Sequence, residues 1–366
     1  MDLLESPWFL SLAGLLAGAV LGFAARSHHF CTLSALERHW YAGDSTGLRT
    51  WVMAAAVAMA ATQLLAFAGS ADISSSFYLS PLFGWTGAIL GGFAFGIGMA
   101  LVGTCGFGAA VRLGGGSLRG LIVLIVLGLS ALSAQKGLIA QARVHVVDNR
   151  AIDLSFAGDQ SLGSIASTLA GLDLRLPIGL AIAALLAAWV LRDRRWRANR
   201  AHLWTAAAVG GAVSFGWLAT TLASRHAFQP VQIETASYVV PVGDTLLQFV
   251  TYTGVLPDYG VGLLIGTIAG AALAAWRGGD IRWEACDDAR ELGRHLAGAF
   301  LMGVGGVFAM GCTIGQGISA ASALAISAPV VMLSIAAGAR VGLAWLLEGS
   351  LGSLWPARGS SRSPAE

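Results

Sequence analysis

Residues 96–108, GIGMALVGTCGFG, and residues 303–315, GVGGVFAMGCTIG, decide the fold. Both read Gly-x-Gly, six residues, Cys, two residues, Gly, and the offset between them is constant at 312 − 105 = 207. Each thiol sits among small residues, Gly103, Thr104 and Gly106 around Cys105 and Gly311 and Thr313 around Cys312, with Gly108, Gly315 and Gln316 close behind. Gln316 and Thr104 could serve either as hydrogen-bonding groups or as packing and backbone caps. Apolar runs of spanning length precede both motifs. If the first run crosses a bilayer in one direction and the second in the other, the duplication is an inverted repeat, an arrangement in which interrupted helices meet near the midplane.

The rest of the chain requires a bilayer. Of 366 residues, 56% are hydrophobic and only 11% charged, against about 25% charged in a typical soluble domain. Nine apolar windows approach or exceed the roughly 20 residues needed to span: 8–26, 50–69, 84–104, 117–134, 174–191, 203–223, 258–276, 296–311 and 328–347. The expected fold is all-α and polytopic, with about nine transmembrane helices, short re-entrant helices and an inverted internal repeat. One transmembrane domain covers 1–355, with repeat halves at about 8–134 and 203–347, and the Ser-, Arg- and Pro-rich stretch 356–366 reads as a disordered cytoplasmic tail. Pro241 to Asp244 followed by the apolar run Thr245 to Val250 has a helix-start pattern too short to cross, so it reads as re-entrant.

Orientation follows from arginine placement. Arg192, Arg194, Arg195, Arg197 and Arg200 form the densest basic cluster, and the positive-inside rule puts it in the cytoplasm. Counting outward, the basic segments 26–50, 105–119 and 277–295 also fall inside, whereas Ser70 to Phe83, without a basic residue, falls outside. This counting gives a periplasmic N-terminus and a cytoplasmic C-terminus. Asp2 and Glu5 precede the first helix with no basic residue before Arg26, unlike a cleaved signal peptide. No basic tract with interleaved aromatics points to nucleic acid.

A third thiol, Cys31, follows the ladder Gly14, Gly18, Gly22 and the stretch Arg26-Ser-His-His-Phe30. The ladder has a counterpart in Gly262, Gly266 and Gly270, both beginning Gly-Leu-Leu, on helices that run the same way by this count. Glycine at every fourth position gives a flat strip for close helix contact, so this match reads as packing. Four cysteines without a CxxC pair make neither a disulfide framework nor a thioredoxin-like motif. His28 and His29 lack zinc spacing, so no metal or other cofactor is expected. Cys286, beside Glu284, Asp287 and Asp288, matches none of the motifs. Arg340 lies inside the last apolar run, where an ionisable group is usually functional, yet it could equally snorkel or pair with Glu348. Trp51, Trp204, Trp283 and Trp345 fall near helix ends and suit an interfacial belt.

At these cysteines the chain resembles the YeeE/YedE sulfur-transport family, with Cys31 matching its N-terminal thiol, Cys105 in GTCGFG the first repeat thiol and Cys312 in GCTIGQG the second. The resemblance runs from the first helix to about Ala339. It implies a bacterial inner-membrane importer of thiosulfate, with Cys31, Cys105 and Cys312 as successive contacts and a cytoplasmic TusA-like sulfur carrier as consumer. Thiols suit such cargo: a neutral S–H is a weak donor, and several weak sites in series let an anion enter and leave. Two alternatives remain open on sequence alone, a membrane thiol oxidoreductase or sulfurtransferase using the same cysteines covalently, and the same transporter carrying another sulfur or selenium anion. The absence of a close cysteine pair and of basic neighbours that would make a thiolate stands against the enzyme.

Overall fold

The computed structural model describes residues 8–227, 230–251, 258–286 and 288–348; the expected tail 356–366 lies outside them. All nine expected spans are helices: α1 (Phe9–His28), α3 (Thr46–Phe67), α4 (Gly92–Val102, preceded by a π turn Gly87–Gly91), α6 (Leu118–Lys136), α9 (Arg175–Leu191), α11 (Arg200–His226), α13 (Tyr259–Gly278), α14 (Ala289–Phe308) and α15 (Ser327–Glu348). Shorter helices fill the connections: α2 (Thr32–Ala42), α5 (Gly106–Gly114), α7 (Leu138–Val146), α8 (Leu162–Ala170), α10 (Arg194–Ala198) and α12 (Val240–Val250). The chain is thus a polytopic all-α membrane protein. Among the described residues, seven helical stretches are long and apolar enough to cross a bilayer by themselves. Of the other two, α9 has 17 residues and α14 begins with the charged turns of Arg290, Glu291 and Arg294.

Glycine sets the packing. In α1 and α13 the two ladders face each other with the helices parallel: a methyl group at Gly14, Gly18 or Gly22 would lie 2.1, 2.1 or 2.0 Å from the carbonyl oxygen of Tyr259, Leu263 or Thr267. The converse holds at Gly262, Gly266 and Gly270 against Ser11, Leu15 and Ala19. Neither helix tolerates a Cβ on this strip, so backbone meets backbone. Helix α4 lies between α14 and α15, while α6 packs on α14 and α12, and α3 on α11 and α9.

The seam between α4 and α14 carries the repeat. A methyl at Gly91 would lie 2.6 Å from Gly305 O and one at Gly98 would lie 2.4 Å from Gly298 O, with the reverse contacts at 2.6 and 2.8 Å. Adding the repeat offset to 91 and 98 gives 298 and 305. Gly91 therefore touches the counterpart of Gly98, and Gly98 the counterpart of Gly91, the reciprocity that a two-fold axis produces. The helices are antiparallel, so that axis lies across them and reverses the membrane normal, as an inverted repeat requires.

Segments that the charge pattern assigns to one side do meet on one face. Arg282 N–H donates to Gly115 O (3.1 Å) and Leu118 N–H to Glu284 O (2.8 Å). Arg26 Nη2 donates to Asp280 O (3.1 Å), and Arg49 pairs with Asp193 at 3.1 Å. On the opposite face the two-residue strands β1 (Leu82–Phe83) and β2 (Ile152–Asp153) pair antiparallel. There Leu162 N–H also donates to Leu324 O and Ile326 N–H to Gln160 O.

Candidate functional site

All three motif cysteines occupy one backbone device. A helix stops, a residue with positive φ turns the chain, and two residues later a cysteine opens a short helix. Gly103 (φ 76°) ends α4, and Cys105 is the N-cap of α5, its carbonyl accepting from Ala109 N–H at 2.8 Å. His29 (φ 52°) ends α1, and Cys31 is the N-cap of α2, its carbonyl accepting from Ala35 N–H at 3.0 Å. Met310 (φ 56°) follows α14, and Cys312 opens the helical segment 313–322, which carries a π turn at Gly315–Ala320. Glycine supplies the left-handed residue in the first case without a steric cost. Histidine and methionine do so in the other two, which is why the glycine pattern does not reveal Cys31 as a third copy of the turn.

The N-cap position faces the unpaired N–H groups and positive end of a helix, a setting that favours an anion. Cys312 uses it directly: Gly315 N–H donates to its sulfur at 3.3 Å. Cys105 lies within electrostatic reach of both Cys31 and Cys312. The two repeat thiols are buried, at 1% and 0% exposure, and Cys31 is partly exposed.

The flanking residues take distinct parts. Arg112 Nη2 donates to Gly103 O at 2.7 Å and ties the end of α4 to α5. A methyl at Gly106 would lie 3.0 Å from Tyr238 O, and one at Gly108 2.1 Å from Thr104 Oγ1, so both glycines make room at the turn. Gly311 also has positive φ, at 156°. Gln316 braces the break: its Nε2 donates to Ala309 O and Met310 O at 3.0 and 3.1 Å, and its Oε1 accepts from Ser327 at 3.1 Å. Thr313 is fully buried beside the Cys105 thiol.

A fourth segment, 232–239, completes the centre, and no motif announces it. Ser319 Oγ donates to Ala236 O at 2.7 Å, and Thr235 Oγ1 to Val213 O at 2.6 Å. Tyr238 is buried within electrostatic reach of Cys105 and Cys312, with its hydroxyl 2.7 Å from Thr267 Oγ1 and its ring 4.9 Å from Phe107. Ser237 and Tyr78 sit beside Gly315. These residues come from loops distant in sequence, and only the tertiary fold brings them to the thiols.

Toward the basic face, Thr104 lines a cavity of about 570 Å³ whose wall carries five arginines, among them Arg26, Arg112 and Arg119, and the acidic Asp280, Glu284 and Glu291. Arg119 is paired with Glu291 at 2.6 Å and Glu284 at 3.7 Å. Arg340 lies over the rings of Tyr41 and Trp40, 4.7 and 5.6 Å from their centroids, and so joins α15 to the helix that begins at Cys31. Cys286 is partly exposed on the loop before α14. His28 Nδ1 lies 2.8 Å from Thr205 Oγ1, and no group of three metal-ligating side chains occurs among the described residues. Of the four tryptophans at helix ends, Trp204, Trp283 and Trp345 are exposed, whereas Trp51 packs on Gly317 next to the thiol centre.

The chain is 26% identical over 341 residues to a thiosulfate transporter, TsuA, of Spirochaeta thermophila, covering 91% of this chain and 98% of that protein. It is 25% identical over 323 residues to the thiosulfate transporter TsuA of Escherichia coli K12, covering 84% and 86%. A family model described as sulphur transport matches residues 26–341, a stretch that contains all three cysteine turns and the basic vestibule, and the chain belongs to that sulphur transport family.

Proposed function

We propose that this protein imports thiosulfate across the bacterial inner membrane, passing it along Cys31, Cys105 and Cys312 between the repeat halves 8–134 and 203–347 of a single domain. The observation that carries the reading is the convergence of three thiols, each opening a short helix, with Cys105 in reach of both others. Each helix start offers N–H groups and partial positive charge, and each S–H offers a weak donor to the soft terminal sulfur of the anion. Weak donors in series favour release over trapping, and the arginine-lined vestibule beyond Thr104 receives the cargo.

The positive-inside rule puts that vestibule on the cytoplasmic side, with the N-terminus periplasmic and the C-terminus cytoplasmic. Support comes from the shared face of the four basic segments and from the two related thiosulfate transporters. A cytoplasmic TusA-like sulfur carrier is the consumer this direction of transport calls for. The oxidoreductase alternative finds no support in the family match, which is to transport.

The test is uptake of labelled thiosulfate into proteoliposomes, with sulfate, sulfite and selenite as competitors. Saturable thiosulfate uptake resistant to excess sulfate is the expected result. Uptake of sulfate with equal efficiency, or none of thiosulfate, overturns the assignment.

A further inference from the structure

Two hydroxyl groups at the thiol centre, Tyr78 OH and Thr313 Oγ1, are buried without a well-formed hydrogen bond: Tyr78 OH has Ser237 beside it and Thr313 Oγ1 has the Cys105 thiol. Their residues are 1% and 0% exposed. Almost all buried polar atoms are well bonded, and leaving one poorly bonded is costly. Two such groups in one place need a physical reason.

Their surroundings supply it. A methyl at Gly315 would lie 2.8 Å from Tyr78 OH and 3.0 Å from Ser237 Oγ, and the N–H of the same Gly315 donates to Cys312. Tyr78 is also within electrostatic reach of Cys312, and Thr313 stands beside Cys105. The Tyr78 ring is fixed, with Phe77 4.0 Å away and the edge of Trp217 at 6.3 Å; Trp217 in turn donates to Ser322 Oγ at 3.0 Å. The phenol is therefore held in place, with its hydroxyl beside Ser237 and turned to the thiol centre without a bond of good geometry.

We propose that Tyr78 and Thr313 bind the oxygen end of a sulfur oxyanion at the Cys105–Cys312 centre, while the thiols hold its terminal sulfur. The proposal rests on the thiosulfate reading and adds to it the recognition of the sulfonate end. Hard oxygen atoms accept strong O–H hydrogen bonds, and those to a charged group are the stronger kind. The soft terminal sulfur is left to the weaker S–H donors. Such a site orients thiosulfate, holds sulfate by one end only, and gives sulfide nothing at the hydroxyls.

The test uses Tyr78→Phe, which removes one oxygen atom and keeps the ring, in the full chain. Three quantities are measured: thiosulfate affinity by calorimetry, uptake KM in proteoliposomes, and the melting temperature without thiosulfate. Affinity and KM are expected to weaken roughly tenfold, with melting unchanged or raised because a buried donor without a well-formed bond has gone. Competition by hydrosulfide, which has no oxygen, is expected to stay as in the wild type. Thr313→Val is expected to behave alike, and Thr313→Ser to restore binding.

A lowered melting temperature with unchanged KM would assign Tyr78 OH a structural partner and overturn the proposal, as would unchanged KM and melting together. Wild-type protein that takes up no thiosulfate defeats the transport reading itself. Wild-type uptake that Tyr78→Phe leaves untouched defeats only the hydroxyl site.

Discussion

Substituting Gly18 by alanine tests the parallel seam of α1 and α13. The added methyl carbon would stand 2.1 Å from Leu263 O, 2.8 Å from Thr267 N and 2.9 Å from Leu263 C, all backbone atoms of α13. Ordinary carbon–oxygen contact begins near about 3.3 Å, so the helices must part by roughly 1.2 Å or the backbone must bend. Overpacking of this kind costs about 1–3 kcal/mol, and the upper part of that range applies because no side chain can rotate away. Gly211→Ala is the control. Its position in α11 has nothing within 4 Å of an added methyl, and alanine gains up to about 1 kcal/mol over glycine in a helix interior. Unfolding by SDS titration, followed by tryptophan fluorescence, is expected to show Gly18→Ala clearly less stable than wild type and Gly211→Ala equal or more stable. Thiosulfate uptake is also expected to fall in Gly18→Ala, since the end of α1 carries Cys31. Equal stability of the two variants would refute the seam as described.

Two further perturbations address the turn and the loop beside it. Gly103→Ala puts a side chain at φ 76°, which costs about 1–2 kcal/mol; uptake is expected to drop more than stability does, because the Cys105 turn shifts, and a variant with wild-type uptake would contradict this. In the loop before α12, burial with Asp258 and Asp244 nearby pushes the Glu234 carboxyl up from 4.5 to about 8. The folded protein then keeps a proton that the unfolded chain has lost, so the contribution of this group to stability is fully present below pH 4.5 and is lost as pH rises to about 8. Melting temperatures from pH 5 to 9 should decline in the wild type and decline less in Glu234→Gln; equal slopes would show that Glu234 does not cause the trend.

The helices and the thiols were legible in the sequence for different reasons. Lipid forces backbone hydrogen bonds inside each spanning segment, so hydropathy finds α1, α3, α4, α6, α11, α13 and α15 directly. It also marks α9, at 17 residues, and the apolar later turns of α14. The repeat was readable because close backbone contact admits only glycine at Gly96, Gly98, Gly303 and Gly305. The same constraint made the paired ladders of α1 and α13 visible, and their parallel course agrees with the charge count.

Other parts left no pattern. The Cys31 turn escapes because His29 supplies the positive φ that glycine supplies at Gly103. Tyr78, Ser237 and Tyr238 reach the centre from connecting segments without periodicity, so only tertiary packing joins them to Cys312. Gln316, four residues after Cys312, uses its amide on the backbone of the break. Trp51 stands at a helix end like a belt residue, yet Gly317 gives its ring a place against the segment that follows Cys312.

The central claim is that three neutral thiols at helix starts carry the anion through the centre. The most direct measurement is the initial rate of thiosulfate uptake into proteoliposomes by Cys31→Ala, Cys105→Ala and Cys312→Ala, with Cys286→Ala as control. Losing one S–H contact to a charged ligand is expected to slow uptake roughly tenfold, most for Cys105→Ala because it neighbours both other thiols, with melting temperatures held and the Cys286→Ala rate unchanged. Wild-type rates in all three motif variants would contradict the account.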